Sequence, residues 1–382
     1  MTSKERLLTA MRLQTPDHVP VSPDISVMVP DRLTGRPLYD IHLDGRDHYG
    51  WTSATHAEAY IDAVKYFDMD GFYMYGGIKE IRAADAPEMK ERIVDVPKGK
   101  MVYRTCRTAL GELSEREMFY ADEPPWREEK PVKDLKTDFP KIKRYMGESG
   151  WKYENKFSDY GRIGDLGVYL GMIPVFQDWW FHIREGGFEQ CFVDFISDDA
   201  YMTGVHEFWM NWALTNVRAM VAAKPDVIML GGSSASLSVS SPTIFRKYEL
   251  PFIQQAAKIC RDGGIISHFH VCGRSWELAE IVCEESDLAS MEPLEEPPGG
   301  NVDLKELKKR YGKKICIKGN INTTEFMLRA TPQQVEDKCK EAIDTAADGG
   351  GFILSTGDQC GRDTPDANLF KMVEVAKTYG KY

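Results

Sequence analysis

No stretch of this chain approaches the roughly 18 uncharged apolar residues that a membrane-crossing helix needs, so no transmembrane span is expected. The N-terminus, MTSKERLLTAMRLQTPDHVP, lacks the apolar core and cleavage pattern of a secretion signal. Cysteine is sparse: eight in 382 residues, scattered at 106, 191, 260, 272, 283, 316, 339 and 360. That is too few for a disulfide scaffold in so long a chain, and reduced thiols in the cytoplasm are the expectation. Positive charge is also short. Lys and Arg number 48 against 59 Asp and Glu, a formal net charge of −11. An acidic surface repels a phosphate backbone, which argues against nucleic acid as a partner. There is no repeat of fixed period and no low-complexity tract.

What is present is an ordinary globular composition, 42% hydrophobic and 28% charged. The length suits one helix-covered barrel. Organisation is clearest toward the C-terminus. Short apolar runs stand at 226–230 (DVIML), 264–271 (GIISHFHV), 286–291 (SDLASM), 314–320 (KICIKGN) and 350–356 (GGFILST). Runs of this kind bounded by Gly, Pro, Asp or Lys read as buried parallel strands. Between them lie helices with legible starts, at Thr331-Pro332 and Thr364-Pro365. Strands alternating with helices imply βαβ units, and their spacing predicts a (β/α)8 TIM barrel over 1–382 as a single domain. In the first half, 4–13 reads as a helix, and 19–23 (VPVSP) and 70–77 (DGFYMYGG) as strands. The charged, proline-containing segment at about 120–160 reads as a surface excursion.

A barrel places its chemistry at the carboxyl ends of its strands. His270-Val271-Cys272-Gly273 follows one run, Met291-Glu292-Pro293 another, Gly319-Asn320 a third, and Thr356-Gly357-Asp358-Gln359-Cys360 the last. Imidazole and thiolate both ligate zinc, and alternate residues at a strand tip can share an ion, so His270 and Cys272 are candidate metal ligands. A catalytic zinc needs a third ligand. Cys360 is the expected one, with Asp358 as its rival on the same loop. Glu292, Asn320 and Asp358 are candidate acids, bases or orienting groups. His268 reads as a core histidine. Phe176, Trp179 and Trp180 read as core more readily than pocket, and Cys260, Cys283 and Cys339 as core thiols.

These segments, taken together, resemble the uroporphyrinogen decarboxylase superfamily. The opening SKERLLTAMRLQTPDHVPV is similar to its first helix and strand. HVCG at 270–273 matches the H-x-C-G zinc motif of its corrinoid methyltransferases. PLEEPPGGNVDLKELKKRYGKKICIKGNIN at 293–322 and GGGFILSTGDQCGRDTPDANLFKMV at 349–373 resemble its later strands, loops and last helix. The resemblance implies a zinc-assisted methyltransferase. It would move a methyl group from a small methylated donor, such as an aryl methyl ether (an O-demethylase activity), to a corrinoid (cobalamin) carried by a separate partner protein. No cobalamin-binding domain is visible in the chain. In that branch zinc is held by His, Cys and a late Cys. Here His270 and Cys272 carry over, but Asp358 aligns with the late cysteine and Cys360 lies beyond it, so Cys360, Asp358 or a degraded zinc site all remain open. The alternatives are a metal-free decarboxylase of a porphyrinogen or carboxylated aromatic, echoed by Arg32-Leu-Thr-Gly35-Arg36, and a non-catalytic tetrapyrrole- or corrinoid-binding barrel. The resemblance is compatible with a homodimer.

Overall fold

A computed structural model of the chain describes residues 1–44 and 53–382. The apolar runs form strands, all parallel, in one seven-stranded sheet of order β1-β6-β7-β8-β9-β10-β11. These are β1 (Gly71–Gly76), β6 (Gly167–Pro174), β7 (Val227–Gly231), β8 (Ile266–Val271), β9 (Ser290–Pro293), β10 (Cys316–Ile321) and β11 (Phe352–Thr356). The segment 20–22 closes the ring between the two edges. Against β11, Leu354 N–H donates to Pro20 O and Ser22 N–H to Leu354 O, both at 2.9 Å. Toward β1, Asp70 N–H donates to Val21 O at 2.9 Å, and the Asp70 carboxylate accepts Val21 N–H at 2.9 Å. The expected TIM barrel is therefore present, with 20–22 as its eighth stave.

Strand side chains alternate between faces, and both faces of this sheet are covered. One parity meets the helices: Ile228, Leu230, Phe269, Val271, Met291, Ile317, Phe352 and Leu354 lie in the larger apolar cluster. The other parity faces the barrel axis. At the amino ends it is apolar, with Phe72, Val168, Leu170, Val227, Met229, Ile266, Cys316 and Ile353 packed on Leu7, Ala10 and Met11 of the helix Ser3–Met11. That helix plugs the bottom of the barrel. Along the same parity toward the carboxyl ends, Ile266 gives way to His268 and His270, and Cys316 to Lys318 and Asn320. The polar groups are thus collected at one mouth.

The plug is fastened by charge. Arg6 reaches Asp70 and Asp17, each at 2.7 Å, and Asp70 is the same residue that grips the closing stave. The Thr331–Pro332 helix carries the predicted capping box. The last helix starts later than predicted, as Asp366–Thr378 with Pro365 rather than Thr364 at its cap.

The first half holds an element that the sequence reading did not resolve. Four antiparallel strands, β2 (Met89–Val96), β3 (Gly99–Thr108), β4 (Gly111–Tyr120) and β5 (Trp126–Glu129), form a separate sheet, followed by the helix Leu135–Met146. Only the end of this unit falls in the segment read as an excursion. Its β2 strand is exposed or half-buried at every position, so it lacks the one-sided apolar stripe that betrays a strand. Arg104 pins β3 to its neighbours through Glu91, Glu115 and Glu117 at 2.7–2.8 Å.

Two predictions concern this framework. Asp70→Ala leaves the Arg6 guanidinium with half its partners and the closing stave without its side-chain acceptor. Unpairing a buried charge costs about 3–5 kcal/mol, and chemical denaturation should read a loss of that order in the midpoint at unchanged slope. The second concerns Glu249, whose carboxylate accepts the N–H groups of Phe176 and Gln177 at the start of the helix Phe176–Ile183. Burial outweighs those bonds and pushes its carboxyl up to about 8. A carboxyl raised in the folded state contributes stability below its unfolded pKa and loses it as pH climbs through the folded value. Thermal stability should therefore fall between about pH 4.5 and pH 8, and Glu249→Gln should flatten that fall. An unchanged slope in the variant would refute the assignment.

Candidate active site at the barrel mouth

Register between parallel strands decides who meets whom. β8 and β9 pair His268 with Ser290 and His270 with Glu292. The His268 ring then bonds Ser290 Oγ at 2.9 Å, and its Nε2 lies 3.3 Å from Glu292 Oε1. Nδ1 of His270 lies 3.2 Å from the same Oε1. The second carboxylate oxygen accepts from Lys318 Nζ on β10. Both Glu292 and Lys318 are 1% exposed. Burial alone would raise Glu292, but Lys318 and the two imidazoles hold its carboxyl well below the usual range. Lys318 also sits 4.7 Å over the Phe72 ring, a cation–π contact within the barrel.

His270 is 15% exposed and borders the open mouth. Nδ1 of the ring is turned toward Glu292, and the Cys272 thiol also contacts the ring. Burial disfavours the imidazolium, yet Cys272 and Glu292 push His270 well above its ordinary value. The donor atoms of Cys272, Glu295 and Asp358 all lie within 4.8 Å of one another. The chain turns sharply after each strand to bring them in. Gly273 has φ +71°, and a Cβ there would meet Ser238 Oγ at 2.4 Å, so only glycine fits after Cys272. Gly273 N–H in turn donates to Glu295. Burial, and Asp358 beside it, raise the Glu295 carboxyl.

The predicted residues separate into groups. Cys272 and Asp358 come together at the mouth with Glu295, and His270 touches Cys272. Glu292 lies beneath them, gripping His270 rather than facing the opening. Asn320 uses its amide to donate to Leu294 O at 3.1 Å, which secures the turn leading to Glu295. Cys360 stands apart: it is fully buried, its N–H donates to Asp24 O at 2.7 Å, and burial pushes its thiol up to about 12. The donor beside Cys272 on that loop is Asp358. His268 is the buried, bonded histidine expected, and Trp179, Trp180 and Phe176 are buried core.

Sequence reasoning missed Glu295, Lys318, Asp24 and Asp178. Glu295 lies beyond its strand end, and the two prolines after Glu296 were the signal of a tight loop there. Asp178 is buried, accepts Ser234 and Ser233 N–H at 2.6 and 3.1 Å, and lies within electrostatic reach of His270. Asp24, at the end of the closing stave, is buried, and burial raises its carboxyl. The sequence reading also passed over one D-x-H-x-x-G string, Asp40 to Gly45. Its histidine is buried on the six-residue helix Leu38–Leu43 against Asp31, and Gly45 lies outside the described residues. Arg32 of the R-x-x-G-R echo pairs with Asp366, and Arg36 is exposed.

A closed parallel barrel with titratable groups collected at the carboxyl ends of its strands is the architecture of a barrel enzyme. The sequence model of the uroporphyrinogen decarboxylase (URO-D) family matches residues 181–379, and the chain belongs to that family. Among curated proteins it is similar to the methylcobamide:CoM methyltransferase MtbA of Methanosarcina mazei, 25% identical over 65% of this chain and 70% of the relative. The protein of the same name from Methanosarcina acetivorans is 24% identical over 58% of this chain and 60% of its own length. A solved methyltransferase from Methanosarcina mazei shares the fold, with a TM-score of 0.67 over 99% of both chains at 15% identity. Among the described residues no helix is long and apolar enough to cross a membrane.

Glu292→Gln keeps the shape and removes the charge that orients His270. Loss of such a supporting carboxylate typically costs roughly 10–100-fold in metal affinity. Competition with a chromogenic chelator should read that loss in zinc affinity, and an unchanged affinity would show that His270 is not held for a metal.

Proposed function

We propose that this chain is a methyltransferase. It takes a methyl group from a small methylated compound, of the aryl methyl ether class, and delivers it to a corrinoid on a separate protein. The observation that carries the reading is the mixed donor cluster at the mouth, sulfur from Cys272 and carboxylates from Glu295 and Asp358, with the His270 ring in contact with Cys272. Nitrogen, sulfur and oxygen donors in one small pocket suit zinc, and two of the four are groups that magnesium and calcium do not favour. The curated relatives, whose name pairs a methylcobamide with CoM, support methyl transfer with a corrinoid.

Zinc held there supplies a Lewis acid for the heteroatom that gives up the methyl group. Glu292, itself held by Lys318, keeps the His270 ring in register. Gly273 and Asn320 fix the turns that aim Cys272 and Glu295. Compared with a set of two thiolates, a carboxylate in place of one cysteine makes the pocket harder, which suits a leaving oxygen over a thiol acceptor. The carboxyl groups of Asp24, Asp178, Glu292, Glu295 and Asp358 crowd the same region, with Lys318 as the fixed cation among them. Such a field attracts a divalent cation and repels a polycarboxylate, so a porphyrinogen decarboxylase is the weaker reading.

Elemental analysis of chain purified without chelators should find zinc at the mouth, and Cys272→Ala should lose that equivalent. With a Co(I) corrinoid protein and a panel of methyl ethers, the wild type should form methylcobalt and the variant should be at least about 100-fold slower. Carbon dioxide release without corrinoid, or full activity in Cys272→Ala, would overturn the proposal.

A further inference from the structure

We propose that Asp31, His42 and His56 form a second metal site, distinct from the mouth, that takes a zinc-class divalent ion. The three residues come from three helices: Met28–Thr34, Leu38–Leu43 and Ala54–Phe67. The Asp31 carboxylate lies between the two rings. Its Oδ2 is 2.9 Å from His42 Nε2, and its Oδ1 is 2.8 Å from His56 Nδ1. The rings stack at 5.0 Å with 24° between their planes. All three donor atoms lie within 4.8 Å of one another, and the side chains are 0–4% exposed.

Ligand chemistry selects the ion. Two imidazole nitrogens and one carboxylate oxygen suit zinc and its neighbours in the first transition row, and they disfavour the all-oxygen preference of calcium and magnesium. The lone pairs that would bind the ion are on the nitrogens that now face the carboxylate, so binding exchanges a ring proton for the metal and is favoured as pH rises.

The fold gives the site a purpose. The first two helices have seven and six residues, too few to be stable on their own hydrogen bonds. An ion bound by all three would tie them to the long third helix at one buried point. The same segment runs back into the mouth: Asp24 N–H donates to Thr356 Oγ1 at 2.9 Å, and the Gln359 amide donates to Ser26 Oγ. The clamp therefore holds one wall of the mouth in place without contributing a ligand to it. The D-x-H-x-x-G string that contains His42 does not make it a corrinoid ligand, because that imidazole is enclosed and faces Asp31.

This site stands or falls independently of the methyl-transfer reading. A full-length chain stripped of mouth donors (His270→Ala, Cys272→Ala, Asp358→Asn) should, after zinc loading and dialysis, keep about one zinc per chain. Its cobalt-substituted form should show nitrogen and oxygen coordination with no thiolate charge-transfer band. Adding His42→Gln and His56→Gln should remove the ion. No zinc in a stripped chain whose circular dichroism matches the wild type, or zinc that survives both histidine changes, would overturn the proposal. Should the stripped chain fail to fold, His42→Gln/His56→Gln in the otherwise intact protein decides. A wild type that holds one zinc more than the variant supports the site, whatever the mouth binds, and equal content in both refutes it.

Discussion

Everything at the mouth hangs from one buried charge. Glu292 sits inside the barrel, where an unpaired carboxylate would be prohibitively costly. It is tolerated because Lys318 and two imidazoles converge on it from neighbouring strands. The same contacts fix the orientation of His270, and through His270 the direction of the pocket. The arrangement requires strand register to be right across three strands at once. A slip of one residue on β8 would turn His268 and His270 outward to the helices and put Phe269 against Glu292. The interaction that shapes the site is thus also one that penalises wrong registers of the barrel.

Strand alternation separates stability from chemistry along the axis. At the amino ends the inward residues are apolar and are sealed by the first helix. At the carboxyl ends the same parity is polar. The transition takes two residues on β8, from Ile266 to His268, and two on β10, from Cys316 to Lys318. Asp70 links the two halves of this design: it holds the plugging helix through Arg6 and the closing stave through Val21. The barrel bottom therefore supports the wall that carries Asp24 at the top.

How much of this could be read from the sequence follows from the same physics. The later strands were legible in place, with bounds off by up to four residues, because they are buried on both faces and bounded by turn residues. The closing stave was legible as VPVSP, although it makes too few ladder bonds to count as a regular strand. The inserted sheet was not legible, because its strands carry charge on both faces and β2 buries nothing fully. At the mouth, His270, Cys272 and Asp358 were singled out by asking what stands at strand tips, with Asp358 there only as the rival of Cys360. Lys318 escaped that question because KICIKGN reads as a core strand, in which a lysine looks like a boundary residue. It is instead the counter-ion that makes the buried Glu292 affordable. Glu295 escaped because Leu294 at φ +57° turns the chain after the strand has ended, and no pattern in the sequence specifies where that turn points.

Between Asp358 and Cys360, which the motif left open beside a degraded zinc site, packing of a neighbouring segment favours Asp358 as the residue at the mouth. Both residues follow β11 on a single short loop. Cys360 N–H donates to the carbonyl of Asp24, and its thiol lies buried between Thr356 and Thr364, where burial disfavours a thiolate. Bringing that sulfur to Cys272 would break the Asp24 contact and withdraw the closing stave from the mouth. Asp358 faces no such cost: its carboxylate already lies beside Cys272 and Glu295, with one oxygen accepting Gln359 N–H at 2.8 Å. Which of the two side chains stands beside Cys272 therefore follows from how the barrel closes.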